Sequence, residues 1–252
     1  MYPSNPGEEF HVYLAHDSIS NTAIENLCSF CERHGSRLYA IEVSEDLFAN
    51  AIVMKRYPRA MYYRLLACRL LPGHIERVLY LDPDIVIINP VRELYDTPMG
   101  ENLFAAAIHP DVTGITKPVN QIRLGQYEAQ GYYNTGVLLF NLTLQRTEVR
   151  EDDIFAFIEK YNKELILPDQ DVFNALYGAR TLPVDDSYYN YDTRMYEAYY
   201  IMSGGEKNLD WVMNHTVVLH FCGKAKPWLK SSRSRFAVLY KHYAAMLKRE
   251  EG

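Results

Sequence analysis

The sequence predicts an α/β domain built on a doubly wound, mostly parallel sheet. Short apolar runs rich in β-branched and aromatic residues alternate with helical patterns through the first half of the chain. A length of 252 residues, 48% of them hydrophobic, is enough to bury one large core without disulfides. In such a sheet, ligands bind at the carboxyl ends of the strands.

The elements follow from the local patterns. Strands are expected at residues 10–15, 38–43, 77–81, 104–108 and 137–141, where apolar runs end at polar residues. Helices are expected at residues 20–35, 59–71, 152–162 and 171–177. Ser20 is suited to cap the first helix, and Pro72-Gly73 ends the second. The run at 77–81 is typical of a strand buried on both faces.

Composition excludes several classes of protein. A net charge of −6 argues against a general nucleic-acid binder. No apolar run is long enough to cross a bilayer, and no signal peptide is recognisable, so we expect a cytoplasmic protein. The four cysteines do not form a disulfide pattern, and the lone Cys28-x-x-Cys31 has no second pair with which to bind zinc.

The feature most indicative of function is Asp82-Pro83-Asp84, which directly follows the strand at 77–81. In extended chain, residues two apart face the same way at roughly 6–7 Å. Two carboxylates so placed can bind a divalent cation that also holds phosphates. An acidic pair alone can equally cap the element that follows it, so the function needs further support.

Three further motifs give that support. At residues 132–141, a polar Asn-Thr-Gly corner leads into an apolar strand. At residues 167–174, an Asp-Gln-Asp sequence stands at a helix start. At residues 219–228, an imidazole ends a strand, Gly223 permits close backbone approach to a ligand, and Lys226 offers a point charge suited to phosphate.

In this order, the four motifs resemble glycosyltransferase family 8, a retaining group that includes glycogenins and bacterial lipopolysaccharide and cell-wall enzymes. The resemblance runs from about residue 9 to about residue 243. Many transferases share an Asp-x-Asp pair, whereas its combination with the Asn-Thr-Gly corner, Asp-Gln-Asp and His-Phe-Cys-Gly-x-x-Lys-Pro-Trp is highly specific. The resemblance implies a GT-A-like fold and a UDP-sugar donor.

The resemblance also implies roles for ten residues. The family's metal ligands are matched by Asp82, Asp84 and His220, with manganese (Mn²⁺) expected and Mg²⁺ as the alternative. The family's donor-binding residues are matched by Arg64, Asn134, Gly136, Gly223 and Lys226. The pair beside the anomeric carbon is matched by Asp169 and Gln170. Without the resemblance, Arg64 could be a surface arginine, His220 a core histidine and Asp169 a helix N-cap.

The implied reaction transfers a hexose to a glycan or glycoconjugate with retention of anomeric configuration. Retention requires either a carboxylate-type nucleophile or same-face attack by the acceptor. An amide such as Gln170 is a poor nucleophile, so we favour same-face attack, with the diphosphate taking the acceptor's proton. The metal and Lys226 would stabilise the departing UDP. The motifs do not identify the donor sugar or the acceptor.

We expect one domain over residues 1–252 with three parts. They are a nucleotide-sugar-binding core at 1–184, a Tyr-rich acceptor-side lobe at 185–215, and a metal and phosphate loop with a basic helix at 216–252. The family's first strand, nucleotide-contact loop and helix are not recognisable here. We therefore expect an open sheet edge beside residues 10–15 and 77–81, which favours self-association. The family's acceptor-side aspartate has only an approximate counterpart, Asp111.

Two rival functions stay open. A metal-dependent nucleotide-sugar hydrolase or nucleotidyltransferase also uses paired aspartates, but it leaves Asp169-Gln170 unexplained. A truncated, inactive sugar-nucleotide-binding remnant is the non-enzymatic alternative. From Lys224 to the end there are eight Lys or Arg and two acids. This basic end either packs on the domain with its charges solvated, which we favour, or contacts anionic lipid at the inner face of the membrane.

Overall fold

The computed structural model describes residues 1–44, 59–108, 131–161 and 165–251. The strands are β1 (His11–His16), β2 (Arg37–Glu42), β3 (Arg77–Leu81), β4 (Ile85–Ile87), β5 (Phe104–Ile108), β6 (Tyr133–Asn141), β7 (Thr181–Val184), β8 (Tyr191–Asp192) and β9 (Val218–His220). The helices are α1 (Asn21–Arg33), α2 (Ala67–Leu70), α3 (Arg92–Tyr95), α4 (Leu142–Glu148), α5 (Glu151–Tyr161), α6 (Pro168–Tyr177), α7 (Asp186–Tyr189), α8 (Tyr196–Met202), α9 (Leu209–His215) and α10 (Ala237–Glu251). Short 3₁₀ helices span Tyr2–Ser4, Arg59–Leu66 and Gly178–Arg180.

The four-stranded sheet has the order β3-β6-β5-β7. β5 and β7 are parallel, and β6 is antiparallel to both β3 and β5, so three of the four strands run in one direction. The predicted α/β sheet of mostly parallel strands is thus confirmed, with β6 as the reversed member. Because of the reversal, the first residues of β6 lie beside the end of β3, where Leu81 pairs with Val137.

Two smaller sheets complete the described strands. In the order β4-β9-β8, β9 is antiparallel to β4 and parallel to β8. β1 and β2 form a parallel pair. Within the described ranges, β1 pairs only with β2 and β3 only with β6. All residues of β3 are half-buried, whereas those of β6 are buried up to its last residue.

The core beneath the four-stranded sheet is aromatic. Phe104 of β5, Phe140 of β6 and Phe173 of α6 are each 0% exposed. Phe104 meets the other two rings edge to face, at centroid distances of 5.3 and 4.9 Å. Burial of each such side chain stabilises the fold by about 1.5–3 kcal/mol. These contacts fix α6 against the sheet, and α6 carries Asp169 and Gln170 in its first turn.

Two predicted helices differ from the structure where a site residue lies. The helix expected at 59–71 is mostly the 3₁₀ helix Arg59–Leu66, followed by the single turn α2. The helix expected at 171–177 begins earlier, at Pro168, because proline suits the first helical position. Asp169 therefore lies inside α6 and is not its N-cap, which corrects that alternative for this residue.

The Tyr-rich stretch at 185–215 folds as α7, β8, α8 and α9. Tyr191 and Tyr199 are buried and stacked, with ring centroids 4.3 Å apart, and α10 packs Leu239 and Tyr240 against the same cluster. The two tyrosines thus lie in the core of this part of the chain. No helix among the described residues has the length and apolar character needed to span a bilayer.

Candidate active site

Three side chains singled out by the sequence converge at one point. Asp82 and Asp84 follow β3, and His220 is the last residue of β9. The antiparallel register of β4 and β9 places Ile85 opposite His220, so the imidazole lies next to the acidic pair. His220 Nε2 lies 3.4 Å from Asp84 Oδ1 and 3.9 Å from Asp82 Oδ2.

This triad fits a divalent cation. One ligand atom from each of the three residues lies within 4.8 Å of the others. Metal–ligand bonds to nitrogen and oxygen are about 2.0–2.6 Å long, so one ion can reach all three atoms. Two carboxylates and an imidazole are a chemically reasonable donor set for Mn²⁺.

Lys226 lies against the acidic pair. Its ammonium donates to Asp84 Oδ2 and to the Phe221 carbonyl, the latter at 3.0 Å. Burial opposes ionisation of Asp84, but the contacts with His220 and Lys226 outweigh burial and lower the pKa of this carboxyl to about 2. Asp84 is therefore a carboxylate at neutral pH, the form that binds metal.

Arg64 connects the triad to the start of α6. Its Nη2 lies 3.0 Å from Asp82 Oδ1, and its Nη1 lies 3.4 Å from Asp169 Oδ2. Nη1 also donates to the Thr135 carbonyl at 2.8 Å, and the guanidinium lies 4.7 Å from the centroid of the Tyr80 ring. Burial raises the pKa of Asp169, although Arg64 opposes the shift. Arg64 is thus a half-buried cation shared by two carboxylates.

The Asn-Thr-Gly corner lies directly against the triad. Asn134 Oδ1 accepts from the Gly136 N–H at 2.9 Å, and Asn134 Nδ2 donates to Gln170 Oε1 at 3.4 Å. A Cβ at Gly136 would lie 2.9 Å from both Asp82 Oδ2 and His220 Nδ1. Glycine is therefore required at this position for the corner and the triad to share the space.

Gly223 lies in the loop after β9 with φ = +79°, a conformation that glycine adopts without strain. A Cβ at this position would lie 2.8 Å from Arg194 Nη1. Arg194 is half-exposed and is held by the buried carboxylate of Asp192, which accepts from Nε at 2.9 Å and from Nη2 at 2.6 Å. A tightly turned backbone and a guanidinium thus lie side by side in the loop that leads to Lys226.

Comparison with known proteins identifies the family. The family model of glycosyl transferase family 8 matches residues 2–232. The chain belongs to glycosyltransferase family 8. It is 24% identical over 227 residues to general stress protein A of Bacillus subtilis (strain 168). That alignment covers 86% of this chain and 75% of the Bacillus protein. It is 26% identical over 219 residues to a lipopolysaccharide 1,2-glucosyltransferase of Escherichia coli (strain K12). That alignment covers 86% of this chain and 63% of the Escherichia coli enzyme.

The structural comparison supports the fold. The galactosyltransferase LgtC, solved in complex with donor and acceptor sugar analogues, superposes with a TM-score of 0.80 at 22% identity, over 97% of this chain and 88% of that chain. The expected GT-A-like fold is thereby confirmed, and membership of family 8 confirms the expected transferase class. Family 8 enzymes use UDP-sugar donors and a divalent metal. The roles of the individual residues stay predictions, and Asp111 lies outside the described residues.

The sequence analysis assigned no site role to several polar groups that touch the site, namely Tyr80, Thr135, Asn190 and Arg194. The Tyr80 hydroxyl donates to Asp82 Oδ1 at 2.6 Å. Strand alternation could have indicated this contact, because the two residues are two apart and face the same way. Asn190 and Arg194 lie in the Tyr-rich stretch, where no pattern in the sequence marks them.

Proposed function

We propose that this chain transfers a hexose from a UDP-sugar to a glycan or glycoconjugate acceptor, with retention at the anomeric carbon and dependence on a divalent metal. One observation carries the proposal. A cation-binding triad of Asp82, Asp84 and His220 adjoins the start of α6 through Gly136 and Arg64. Cleavage of a sugar diphosphate needs a cation at the phosphates and polar groups at the sugar, and the two sites must lie next to each other.

The diphosphate side of the proposed site is cationic. A metal bound by the triad would act there as a Lewis acid and would stabilise the negative charge that develops on the departing UDP. We assign Lys226 and the backbone at Gly223 to the same phosphates. Lys226 is already held beside Asp84, so stabilising the leaving group requires little reorganisation.

The sugar side of the proposed site is formed by Asn134, Gly136 and Gln170. Asp169 is bound by Arg64 at 3.4 Å and by the Thr135 hydroxyl at 3.3 Å, which suits orientation better than nucleophilic attack. Same-face attack is therefore the retaining route that we favour. The acceptor oxygen forms its bond to the anomeric carbon as the bond to phosphate breaks, and the diphosphate takes the acceptor's proton.

The substrates are proposed from the relatives. Similar proteins are named as lipopolysaccharide glucosyl- and galactosyltransferases, so UDP-glucose and UDP-galactose are the donors to test first. A cell-surface glycan is the matching acceptor class. We propose a cytoplasmic location. We also propose that the basic end packs on the domain, because Leu239, Tyr240 and Tyr243 contact the core. Binding to anionic vesicles at physiological salt would instead favour the membrane alternative.

Release of UDP from the two donors, with Mn²⁺ or with a chelator and with or without acceptor, tests the function. Asp82→Ala should abolish Mn²⁺-dependent UDP binding and leave the fold intact, whereas Asp210→Ala, an exposed acid on α9, is the matched control. Full release of UDP or UMP without acceptor would indicate a hydrolase, and release of sugar 1-phosphate without free UMP would indicate a nucleotidyltransferase. Mn²⁺-dependent UDP binding without turnover would indicate the inactive remnant.

A further inference from the structure

Asn190 lies between the metal triad and the Asn-Thr-Gly corner. It is 2% exposed, and its neighbour His220 is 4% exposed. The Asn190 Oδ1 atom lies 2.8 Å from His220 Nδ1, and Asn190 Nδ2 donates to Asn134 Oδ1 at 2.8 Å. Both ends of this buried amide therefore bind residues of the proposed site.

The direction of these hydrogen bonds follows from one backbone group. The Gly136 N–H can only donate, so its partner at 2.9 Å must be the oxygen of Asn134. Because that oxygen also faces Asn190, Asn190 presents its NH₂ group at this end. Its other end is a carbonyl oxygen, which can only accept. His220 Nδ1 must therefore carry a proton, and in the neutral ring the lone pair is on Nε2.

That lone pair is on the nitrogen that faces the acids, since Nε2 lies 3.4 Å from Asp84 Oδ1 and 3.9 Å from Asp82 Oδ2. We propose that Asn190 is a positioning residue that fixes His220 as the Nδ1–H tautomer and so makes Nε2 available as a metal ligand. The inference rests on the metal site of the proposed function. A hydrogen bond at the other ring nitrogen fixes the orientation of a metal-binding histidine and raises its basicity.

The first test needs no variant at position 190. The ¹⁵N chemical shifts of the His220 ring, measured on the metal-free protein at alkaline pH, report the tautomer of the neutral ring. Comparison with His220→Ala assigns the resonances. We expect the Nδ1–H form. A ring that is mainly Nε2–H would overturn the proposal.

The second test measures Mn²⁺ affinity in the presence of UDP by electron paramagnetic resonance. Asn190→Ala should weaken Mn²⁺ binding about 10–100-fold. Asn190→Asp keeps an oxygen for the Nδ1 proton but loses the donor to Asn134 Oδ1, so it should lose less Mn²⁺ affinity than the alanine variant. Asn5→Ala removes another buried amide, which accepts from the Val91 N–H at 2.9 Å, and should leave the affinity unchanged.

The outcomes separate this proposal from the function on which it rests. Wild-type Mn²⁺ affinity in Asn190→Ala, or equal losses in the alanine and aspartate variants, would refute the positioning role alone. A wild-type protein that binds no Mn²⁺, or a His220→Ala variant that binds it equally well, would refute the metal site and the positioning role together.

Discussion

Replacing Gly136 by alanine tests whether the strand corner and the metal triad share one space. The added Cβ would lie 2.9 Å from Asp82 Oδ2 and from His220 Nδ1, and closer still to His220 Cε1. Non-bonded carbon atoms are comfortable at about 3.5–4.0 Å. The backbone at Gly136 has little freedom to retreat, because its carbonyl accepts the Asp82 N–H at 2.8 Å. The imidazole must therefore move.

The size of the effect follows from that movement. Relief of the contact requires a displacement of the imidazole on the order of 1 Å. Misplacement by about 1 Å can cost about 10²-fold in rate. We expect Mn²⁺ affinity in the presence of UDP to fall at least about 10-fold, which corresponds to about 1.4 kcal/mol. Overpacking costs about 1–3 kcal/mol of stability, which a domain of ordinary stability survives.

Isothermal titration of Mn²⁺ and UDP, together with thermal denaturation, measures both quantities. Gly73→Ala is the matched control, because no atom lies within 4 Å of a Cβ at that position. The control variant should bind like the wild type. If Gly136→Ala retained wild-type Mn²⁺ affinity and activity, the inferred contact between the corner and the triad would be wrong.

Three further predictions concern charge, packing and pH. Arg64→Lys should slow UDP release at least about tenfold, because an ammonium cannot bridge Asp82 and Asp169 as the planar guanidinium does. A wild-type steady-state rate of UDP release in this variant would contradict the prediction. Phe140→Ala, at a position that is 0% exposed, should lower the free energy of unfolding in urea by about 3–5 kcal/mol, and a loss under 1 kcal/mol would count against the assigned core. Burial raises the pKa of Asp186, so the folded chain holds this proton more tightly than the unfolded chain, and stability should decline as pH rises above about 3.9. Asp186→Asn should remove that decline from thermal melts between pH 4 and 7; an identical pH dependence in both proteins would exclude the effect.

The strands were the predictable part of the fold. A buried strand requires an apolar run that ends at polar residues, and β3 and β5 have the predicted bounds. The reversal of β6 could not be predicted, because the apolar run at Tyr133–Asn141 does not indicate whether the strand lies parallel or antiparallel to its neighbours. The 3₁₀ geometry at Arg59–Leu66 was missed because its apolar spacing also fits an α-helix.

In the site, residue type and order were predictable, whereas hydrogen-bond partners were not. Asp82 and Asp84 lie between β3 and β4, and His220 ends β9, which are strand-end positions where a ligand site is expected. Asn190 meets His220 only because β8 pairs with β9 in parallel, with Asp192 opposite His220. Strand pairing between segments about thirty residues apart is a tertiary property that local sequence patterns do not determine.

The reversed strand is part of how the site is assembled. Because β6 runs against β3, its first residues lie beside the residue that ends β3, and the Asp82 N–H donates to the Gly136 carbonyl. If β6 were parallel to β3, the Asn-Thr-Gly corner would lie at the opposite edge, roughly 16 Å away for a strand of five residues. The antiparallel pair β4 and β9 has the same consequence, since it places His220 opposite Ile85, which directly follows Asp84. The antiparallel pairings thus bring the start of one strand and the ends of two others to one edge, where a cation and a sugar diphosphate can be held together.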